Sequence, residues 1–209
     1  MLTLFVAAFG LGLLFNVAPG AVFAETLRHG VQGGFRPALA VQIGSLVGDA
    51  LWALLGLLGI GLLLQLDVLQ QPLALAGALY LLWLAWDSWQ AAATAQPPQL
   101  DGEQCHKRAL RSGMLLSITN PQNVAYWAAL GSALAAVGIS APQPLDYSIF
   151  FAGFMASSVL WAFVCALLID RLFAGVGWRW ARLTYRLCAL AFALLAVATL
   201  QPLLASVSG

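Results

Sequence analysis

The sequence predicts an all-α integral membrane protein in which six transmembrane helices form two inverted three-helix repeats, with both termini outside. Of its 209 residues, 62% are hydrophobic and 8% are charged, and the mean hydropathy is +0.89. A soluble domain carries about 25% charged residues, so lipid is the expected solvent of this chain. Six apolar stretches are long enough to cross a bilayer, and all nine Lys and Arg residues fall in or beside alternate loops.

Each predicted span offers about 20 apolar residues or more, which cross the hydrocarbon core at about 1.5 Å per residue. The N-terminus is apolar from Leu2 and lacks the basic residues that open a signal peptide, so we expect it to be retained as the first span. The spans are 2–24, 37–64, 69–90, 113–136, 145–170 and 183–204. We interpret 1–209 as one membrane domain, with a first three-helix half at 1–90, a cytoplasmic loop at 91–112 and a second half at 113–209.

The basic residues set the orientation, because cytoplasmic loops collect Lys and Arg. They lie in the first, third and fifth loops, which therefore face the cytoplasm, and both termini face outward. Four tryptophans lie near the inferred cytoplasmic boundary, as interfacial indoles do. The basic residues are Arg28, Arg36, Lys107, Arg108, Arg111, Arg171, Arg179, Arg182 and Arg186, and the tryptophans are Trp86, Trp89, Trp178 and Trp180.

Spans two and five share a pattern that indicates an internal repeat. Three spans per half make such a repeat inverted, because an odd number of crossings reverses the second copy. A constant offset pairs Gly44 with Gly153, Asp49 with Ser158, and Trp52 with Trp161. A chance likeness between two apolar helices is the alternative.

Spans one and four each contain a helix-breaking tract, and paired breaks in two halves are the best sequence pointer to a transporter binding site. The tracts are Asn16-Val17-Ala18-Pro19-Gly20 and Thr119-Asn120-Pro121-Gln122-Asn123. Pro121 frees the carbonyl of Ser117, which must then meet another helix, water or solute. Asn120 and Pro121 also suit a helix start, whose positive end could receive a carboxylate. Ordinary proline kinks are the alternative, and residue counting places both breaks nearer the cytoplasmic side.

Asp49 is the most informative residue, since it lies well inside span two, on one helical face with Gln42, Ser45 and Trp52. An ionised carboxylate costs several kcal/mol in lipid, so Asp49 must face a protein interior or a wet cavity. It could exchange a proton, as proton coupling requires, or pair with the ammonium group of a substrate. The structural alternative is a protonated Asp hydrogen-bonded to a neighbouring helix.

Small residues and boundary acids have plainer interpretations. The pairs Gly44/Gly48 and Gly153/Ser157 allow close helix approach. Trp52 and Trp161 could line a cavity or fill the core. We expect three acids to anchor the cytoplasmic boundary by pairing with Arg28 or the Arg171 region, a gate being the alternative; they are Glu25, Asp87 and Asp170.

Several classes of function are disfavoured. The cysteines Cys105, Cys165 and Cys188 form no CxxC pair, so neither a disulfide framework nor a zinc site is expected. Both histidines, His29 and His106, fall in predicted polar loops. With no nucleophile–base arrangement and no phosphate-cradling loop, we predict no enzyme, no metal, no cofactor and no nucleic-acid binding.

Together these features resemble the LysE/RhtB family of amino-acid exporters, through all six spans and in order. The resembling tracts are Asn16–Gly20, Arg28 with Gly30 and Gly33-Gly34, Gly44–Trp52, Gly77–Leu81 with Trp83 or Trp86, and Gly113–Pro121. The resemblance implies proton-driven export of small amino acids or derivatives across the bacterial inner membrane, along a path that includes both breaks and Asp49. Two departures stand beside the breaks: Ala21 where the family often has a second proline, and Gln122 where it often has Lys.

The transport path that we predict combines the breaks with the polar face of span two and its counterpart in span five. Its residues are Asn16, Pro19, Gly20, Gln42, Ser45, Asp49, Trp52, Asn120, Pro121, Asn123, Ser158 and Trp161. The expected partners are a small amino acid, protons and the lipid bilayer, with a homodimer possible. A thiol relay would need paired cysteines, and a metal exporter more ligands than Asp49. A non-transporting component of a signalling or assembly system, or an exporter of another solute, remains an alternative.

Overall fold

The computed structural model describes residues 1–57, 67–93, 102–120, 123, 143–173 and 178–208. Every regular element in these ranges is an α-helix, which confirms the all-α prediction for the described part of the chain. The helices are α1 Leu2–Val17, α2 Ala21–Gly33, α3 Phe35–Leu57, α4 Asp67–Ala93, α5 Gly102–Ile118, α6 Pro144–Phe173 and α7 Trp178–Ser208.

Length and apolar composition identify three helices as candidate membrane spans: Phe35–Leu55, Pro144–Phe173 and Arg179–Gln201. The pair Leu2–Val17 and Ala21–Val31 qualifies as a fourth when its two bent segments are counted as one span. The described residues therefore supply three or four of the six predicted crossings on these criteria.

The first predicted span is broken where the sequence indicated. α1 ends at Val17, and the direction of the chain bends by 64° between α1 and α2. Ala18 is extended, at φ −60° and ψ 124°, as expected for the residue before a proline. Gly20 is the N-cap of α2, and its carbonyl accepts the amide of Ala24 at 3.1 Å. A proline at this point ends one helix and lets another begin in a new direction.

α2 and α3 are joined by a single residue. Gly34 has φ +71°, in the left-handed region that favours glycine, and its N–H donates to Gly30 O at 2.8 Å. The next amide, that of Phe35, donates to Asp170 Oδ1 at 2.9 Å. Asp170 of α6 thus caps the start of α3 with a charge-assisted hydrogen bond. Its partner is the backbone N–H of Phe35, whereas an arginine was expected.

Glycines bring two pairs of helices into backbone contact. A side chain at Gly44 of α3 would overlap the Leu110 carbonyl of α5, and one at Gly113 of α5 would overlap the Val41 carbonyl of α3. In the second pair, a Cβ at Gly153 of α6 would lie 2.6 Å from the Phe5 carbonyl of α1. The predicted close approach at Gly44 and Gly153 is confirmed.

The residue numbers of contacting positions show the relative directions of neighbouring helices. Gly44 meets Leu110 and Gly48 meets Ser117, so residue numbers rise together and α3 is parallel to α5. Numbers in α4 rise as those in α7 fall, because Leu84 clusters with Phe192, and Ala92 with Ala181 and Tyr185. These two helices are therefore antiparallel.

Two details differ from the sequence-based expectations. α5 begins at Gly102, before the predicted start of the fourth span at 113, because Gly102–Ser112 continues the helix through its polar residues. His29 does not lie in a polar loop: it is 4% exposed within α2, where its Nε2 is 3.1 Å from Glu25 Oε1. Burial against a carboxylate explains how a polar side chain is accommodated there.

Candidate functional site

Asp49 lies at the centre of a buried polar cluster between α3 and α5. Its Oδ1 accepts hydrogen bonds from Ser117 Oγ at 2.7 Å and from Asn123 Nδ2 at 2.9 Å. Asn123 Nδ2 also lies 3.0 Å from Ser117 Oγ. The Asp49 side chain is 7% exposed, and no Lys, Arg or His of the described segments lies within ion-pair distance of it. The carboxyl is therefore held by neutral donors.

The helix break after Ile118 supplies acceptors to the same cluster. Trp52 Nε1 donates to both the Ser117 and the Ile118 carbonyls, each at 3.2 Å. Asn123 Nδ2 is 3.2 Å from Ser117 O. The expectation that the carbonyl of Ser117 must find a partner outside its own helix is confirmed, and Trp52 of α3 is one such partner.

A second, smaller polar contact joins α1 to α6. Asn16 Nδ2 donates to Gly12 O at 2.6 Å and to Ser158 Oγ at 2.9 Å. Ser158 is buried at 1% exposure. The break of the first span therefore meets the residue that the internal alignment pairs with Asp49.

Gln42 extends the polar face of α3 toward α2. Its Nε2 donates to Thr26 Oγ1 at 2.9 Å and approaches Cys165 Sγ of α6 at 3.6 Å. Ser45 Oγ donates to Gln42 O at 2.8 Å. Gln42, Ser45 and Thr26 are all buried, so a line of polar groups runs along α3 between Thr26 and Asp49.

An ion-pair network that is buried at Glu25 and Arg28 and partly exposed at Asp87 and Arg108 lies at the other end of this line. Arg28 binds Glu25 through two donors, Nε to Oε2 and Nη2 to Oε1, both at 2.8 Å. Its Nη1 donates to Asp87 Oδ2 of α4 at 2.5 Å, and Arg108 Nη2 of α5 donates to the same oxygen at 2.8 Å. Pairing of Glu25 and Asp87 with Arg28 was expected, but the contribution of Arg108 was not. No hydropathy or charge pattern in the sequence predicts the contact between Arg108 and Asp87, because that contact depends on how α4 and α5 pack.

The structure does not gather all the predicted path residues into one cluster. Pro19 is exposed at the break, and Trp161 is half-buried, with no polar contact among the described residues. Asn120 lies two residues beyond the end of α5, where its backbone N–H donates to Ser117 O at 3.4 Å. Ala21, one of the two departures, is the first residue of α2. Pro121 and Gln122 lie outside the described residues.

Comparison with known proteins places the chain among membrane translocators. The model of the family described as LysE type translocator matches residues 13–201. This is a family of integral inner-membrane transporters, not of enzymes. No solved structure matches the chain.

Three curated proteins with similar sequences carry names that refer either to chemotactic transduction or to efflux. Chemotactic transduction protein ChpE of Pseudomonas aeruginosa is 50% identical over 192 residues, covering 90% of this chain and 93% of that protein. Homoserine/homoserine lactone efflux protein of Salmonella typhimurium is 30% identical over 118 residues, covering 56% of this chain and 57% of that protein. Threonine efflux protein of Salmonella typhi is 25% identical over 138 residues, covering 63% and 66%.

Proposed function

Since the chain belongs to the LysE type translocator family, we propose that it is a secondary transporter that exports small amino acids or their derivatives across the bacterial inner membrane. Relatives named as homoserine, threonine and leucine efflux proteins support this class of cargo. The proton gradient is the proposed driving force, and Asp49 is the proposed coupling group.

The observation that carries the proposal is the environment of Asp49. A carboxyl inside a predicted span, bound on Oδ1 by Ser117 and Asn123 and lacking a basic partner in the described chain, has no structural need for its charge. Hydroxyl and amide donors serve both an ionised and a protonated carboxyl. Such a group can exchange a proton or receive a substrate ammonium without dismantling a salt bridge.

The break beside Asp49 adds complementary chemistry. The side-chain amide of Asn123 binds both Asp49 Oδ1 and the Ser117 carbonyl, and Trp52 Nε1 binds the Ser117 and Ile118 carbonyls, so the carboxyl, the amide and two backbone carbonyls belong to one cluster. An amino acid carries an ammonium donor and a carboxylate acceptor, and irregular backbone inside a membrane persists where it lines a cavity or binds a solute. The Asp49 cluster is therefore the proposed cargo site.

We also propose that the chain has six spans in two inverted repeats, with both termini outside. Two equivalent contacts support the repeat: Asp49 of α3 meets the break that follows α5, and Ser158 of α6 meets the break that follows α1. Asp49 and Ser158 each lie fourteen residues beyond the first residue of their helix, Phe35 and Pro144. The breaks follow 16 residues of α1 and 17 residues of α5, and these similar lengths support equal distances of the two breaks from opposite sides of the membrane.

The first experiment measures amino-acid efflux from bacterial cells that lack their own amino-acid exporters. Cells fed peptides to raise internal pools would carry the wild-type chain, Asp49→Asn, or the control Asp146→Asn, which changes an acid that caps the start of α6. We expect one amino acid to appear outside faster with wild type and Asp146→Asn, and not with Asp49→Asn at equal membrane levels. Export that survives Asp49→Asn would remove that carboxyl from the mechanism.

A second experiment separates proton coupling from cargo binding. In everted vesicles, a coupling carboxyl is needed for uptake driven by a pH gradient but not for exchange of labelled for unlabelled amino acid. If Asp49→Asn abolishes driven uptake and keeps exchange, Asp49 couples the proton. Loss of both would assign it to cargo binding, and retention of driven uptake would contradict the proposal.

A second candidate function is that of a non-transporting membrane component of a signalling or assembly system. The 50% identity to a chemotactic transduction protein favours it. The discriminating measurement is complementation of a strain that lacks the gene: Asp49→Asn would restore a signalling phenotype if transport is not needed for it. Absence of export of any amino acid from well-expressed protein would favour this candidate or an exporter of another solute.

A further inference from the structure

The guanidinium group of Arg28 binds two carboxylates, those of Glu25 and Asp87, through different nitrogen atoms. The Nε and Nη2 atoms bind the two oxygens of Glu25, a fully buried residue, in the forked geometry of a strong arginine–carboxylate pair. The third donor group, Nη1, points instead at Asp87, whose side chain is 28% exposed. Glu25 therefore fixes the guanidinium, and the Nη1 edge faces a group that water can reach.

Asp87 is the replaceable member of this network. The oxygen that accepts from Arg28 also accepts from Arg108, which is 43% exposed. A carboxylate shared by two guanidinium groups can leave one and keep the other as its partner. Glu25 has no such freedom, because a fully buried acid that lost Arg28 would keep only its contact with His29.

The network also lies on the approach to Asp49. Thr26, the neighbour of Glu25 on α2, binds Gln42 of α3, and Gln42 is seven residues, or about 10 Å of helix rise, before Asp49. Thr26, Gln42 and Ser45 are buried polar side chains between the two sites. A cargo that entered beside Arg28 would find polar groups along the way to Asp49.

We infer that Arg28 is a receiving site for the carboxylate of the cargo, occupied in this structure by the carboxylate of Asp87. An incoming amino acid displaces Asp87 from Nη1 of Arg28, and Asp87 remains paired with Arg108. The exchange replaces one carboxylate by another on a preoriented guanidinium, the side chain best matched to that ligand. It also breaks the ion pair between α2 and α4 when cargo arrives. This inference rests on the proposed export function and names its entry site.

The test uses everted vesicles, in which the cytoplasmic face is outside. Labelled L-threonine, L-homoserine and L-leucine are supplied in turn, and the one taken up fastest by wild type is the probe. Asp87→Asn removes the competing carboxylate and should lower the half-saturating concentration about fivefold, as expected for a part-exposed ion pair. Arg108→Gln leaves Asp87 to Arg28 alone and should raise it about threefold. The control Asp170→Asn, which alters an acid that caps α3, should leave it unchanged.

A competitor without a carboxylate makes the assignment specific. The amide of the probe amino acid should inhibit uptake equally in wild type, Asp87→Asn and Arg28→Lys, because it does not use the guanidinium. Arg28→Lys keeps the charge beside buried Glu25, so the chain retains its fold, but it loses the fork and should weaken probe binding about tenfold.

Two results would overturn the inference while wild type transports the probe: an unchanged half-saturating concentration in Asp87→Asn, or equal shifts for the amino acid and its amide. If wild type takes up none of the three amino acids and exports no amino acid from the peptide-fed cells, the proposed function itself fails, and the Arg28 site fails with it. The two failures are therefore distinguishable.

Discussion

Asn16 of α1 donates a hydrogen bond to Ser158 of α6 at 2.9 Å, and Ser158 is the residue that the internal alignment pairs with Asp49 of α3. In the proposed repeat, Asp49 of α3 and Ser158 of α6 therefore each meet a neighbouring segment that ends at a break. They differ in charge, since one position holds a hydroxyl and the other a carboxyl. In the proposed mechanism, only the Asp49 half can carry a proton.

Replacing Ser158 by Ala should lower stability without abolishing export. The change removes one of the two acceptors of the Asn16 amide, a loss of about 1 kcal/mol for a buried hydrogen bond. Thermal unfolding of the detergent-purified protein checks this, with Ser148→Ala as the control, because Ser148 is an exposed serine of the same helix. Equal melting temperatures for the two variants would contradict it.

Trp52→Phe should destabilise the break that follows α5. The substitution keeps an aromatic side chain and removes the N–H that binds the Ser117 and Ile118 carbonyls. The expected cost is about 1 kcal/mol for a buried hydrogen bond, because the Ser117 carbonyl keeps the Asn123 side-chain amide as a donor. Trp86→Phe is the matched control, since Trp86 is 63% exposed. The readouts are melting temperature and efflux, and only Trp52→Phe should reduce both.

Gly44→Ala should separate α3 from α5, whereas Gly10→Ala should be tolerated. A methyl group at Gly44 would overlap the Leu110 carbonyl, and backbone cannot yield as a side chain can, so overpacking should cost about 1–3 kcal/mol. A methyl group at Gly10 has nothing within 4 Å. Melting temperatures of the two variants measure the difference, and a fall in Gly10→Ala equal to that in Gly44→Ala would contradict the packing argument.

Arg28→Ala should be far more damaging than Lys107→Ala. Removing Arg28 leaves the fully buried carboxylate of Glu25 without its main partner, which costs about 3–5 kcal/mol for a buried pair. Lys107 pairs with Glu103 on the surface, where both side chains are about three-quarters exposed, and its loss should be close to neutral. Yield of folded protein and melting temperature provide the comparison.

Cysteine labelling tests the proposed orientation. The exposed residue Gln143 immediately precedes α6, and the exposed residue Lys107 lies within α5. The proposed topology places them on opposite sides of the membrane. A membrane-impermeant maleimide should label Gln143→Cys but not Lys107→Cys in intact cells, and both after permeabilisation. The native thiols are buried and should stay unlabelled; burial also raises the pKa of the Cys105 thiol, which keeps it protonated. The reverse pattern would invert the topology.

The sequence was sufficient for features that depend on local physics. The break at Pro19 follows from a missing N–H, and the need of the Ser117 carbonyl for an outside partner follows from the cost of an unpaired acceptor in lipid. The burial of Asp49 follows from the cost of exposing a carboxyl to lipid.

The sequence was not sufficient for contacts between distant segments. Asp87 and Arg108 meet only because α4 and α5 pack together, and nothing in their local surroundings requires it. The early start of α5 was missed because a polar helix that extends beyond the membrane has no hydropathy signal. His29 was placed in a loop for the same reason, since its partner Glu25 makes the whole tract look solvent-exposed.

The glycine contacts carry a mechanical consequence. α3 touches α5 along their backbones and α1 touches α6, so each tight pair joins a helix of the first proposed half to a helix of the second. Backbones in such contact slide poorly against each other and are expected to travel as one body. The rigid units of this protein would then be interlocked pairs drawn from both ends of the chain, and any rocking motion would occur at the seams between those pairs rather than at the midpoint of the sequence.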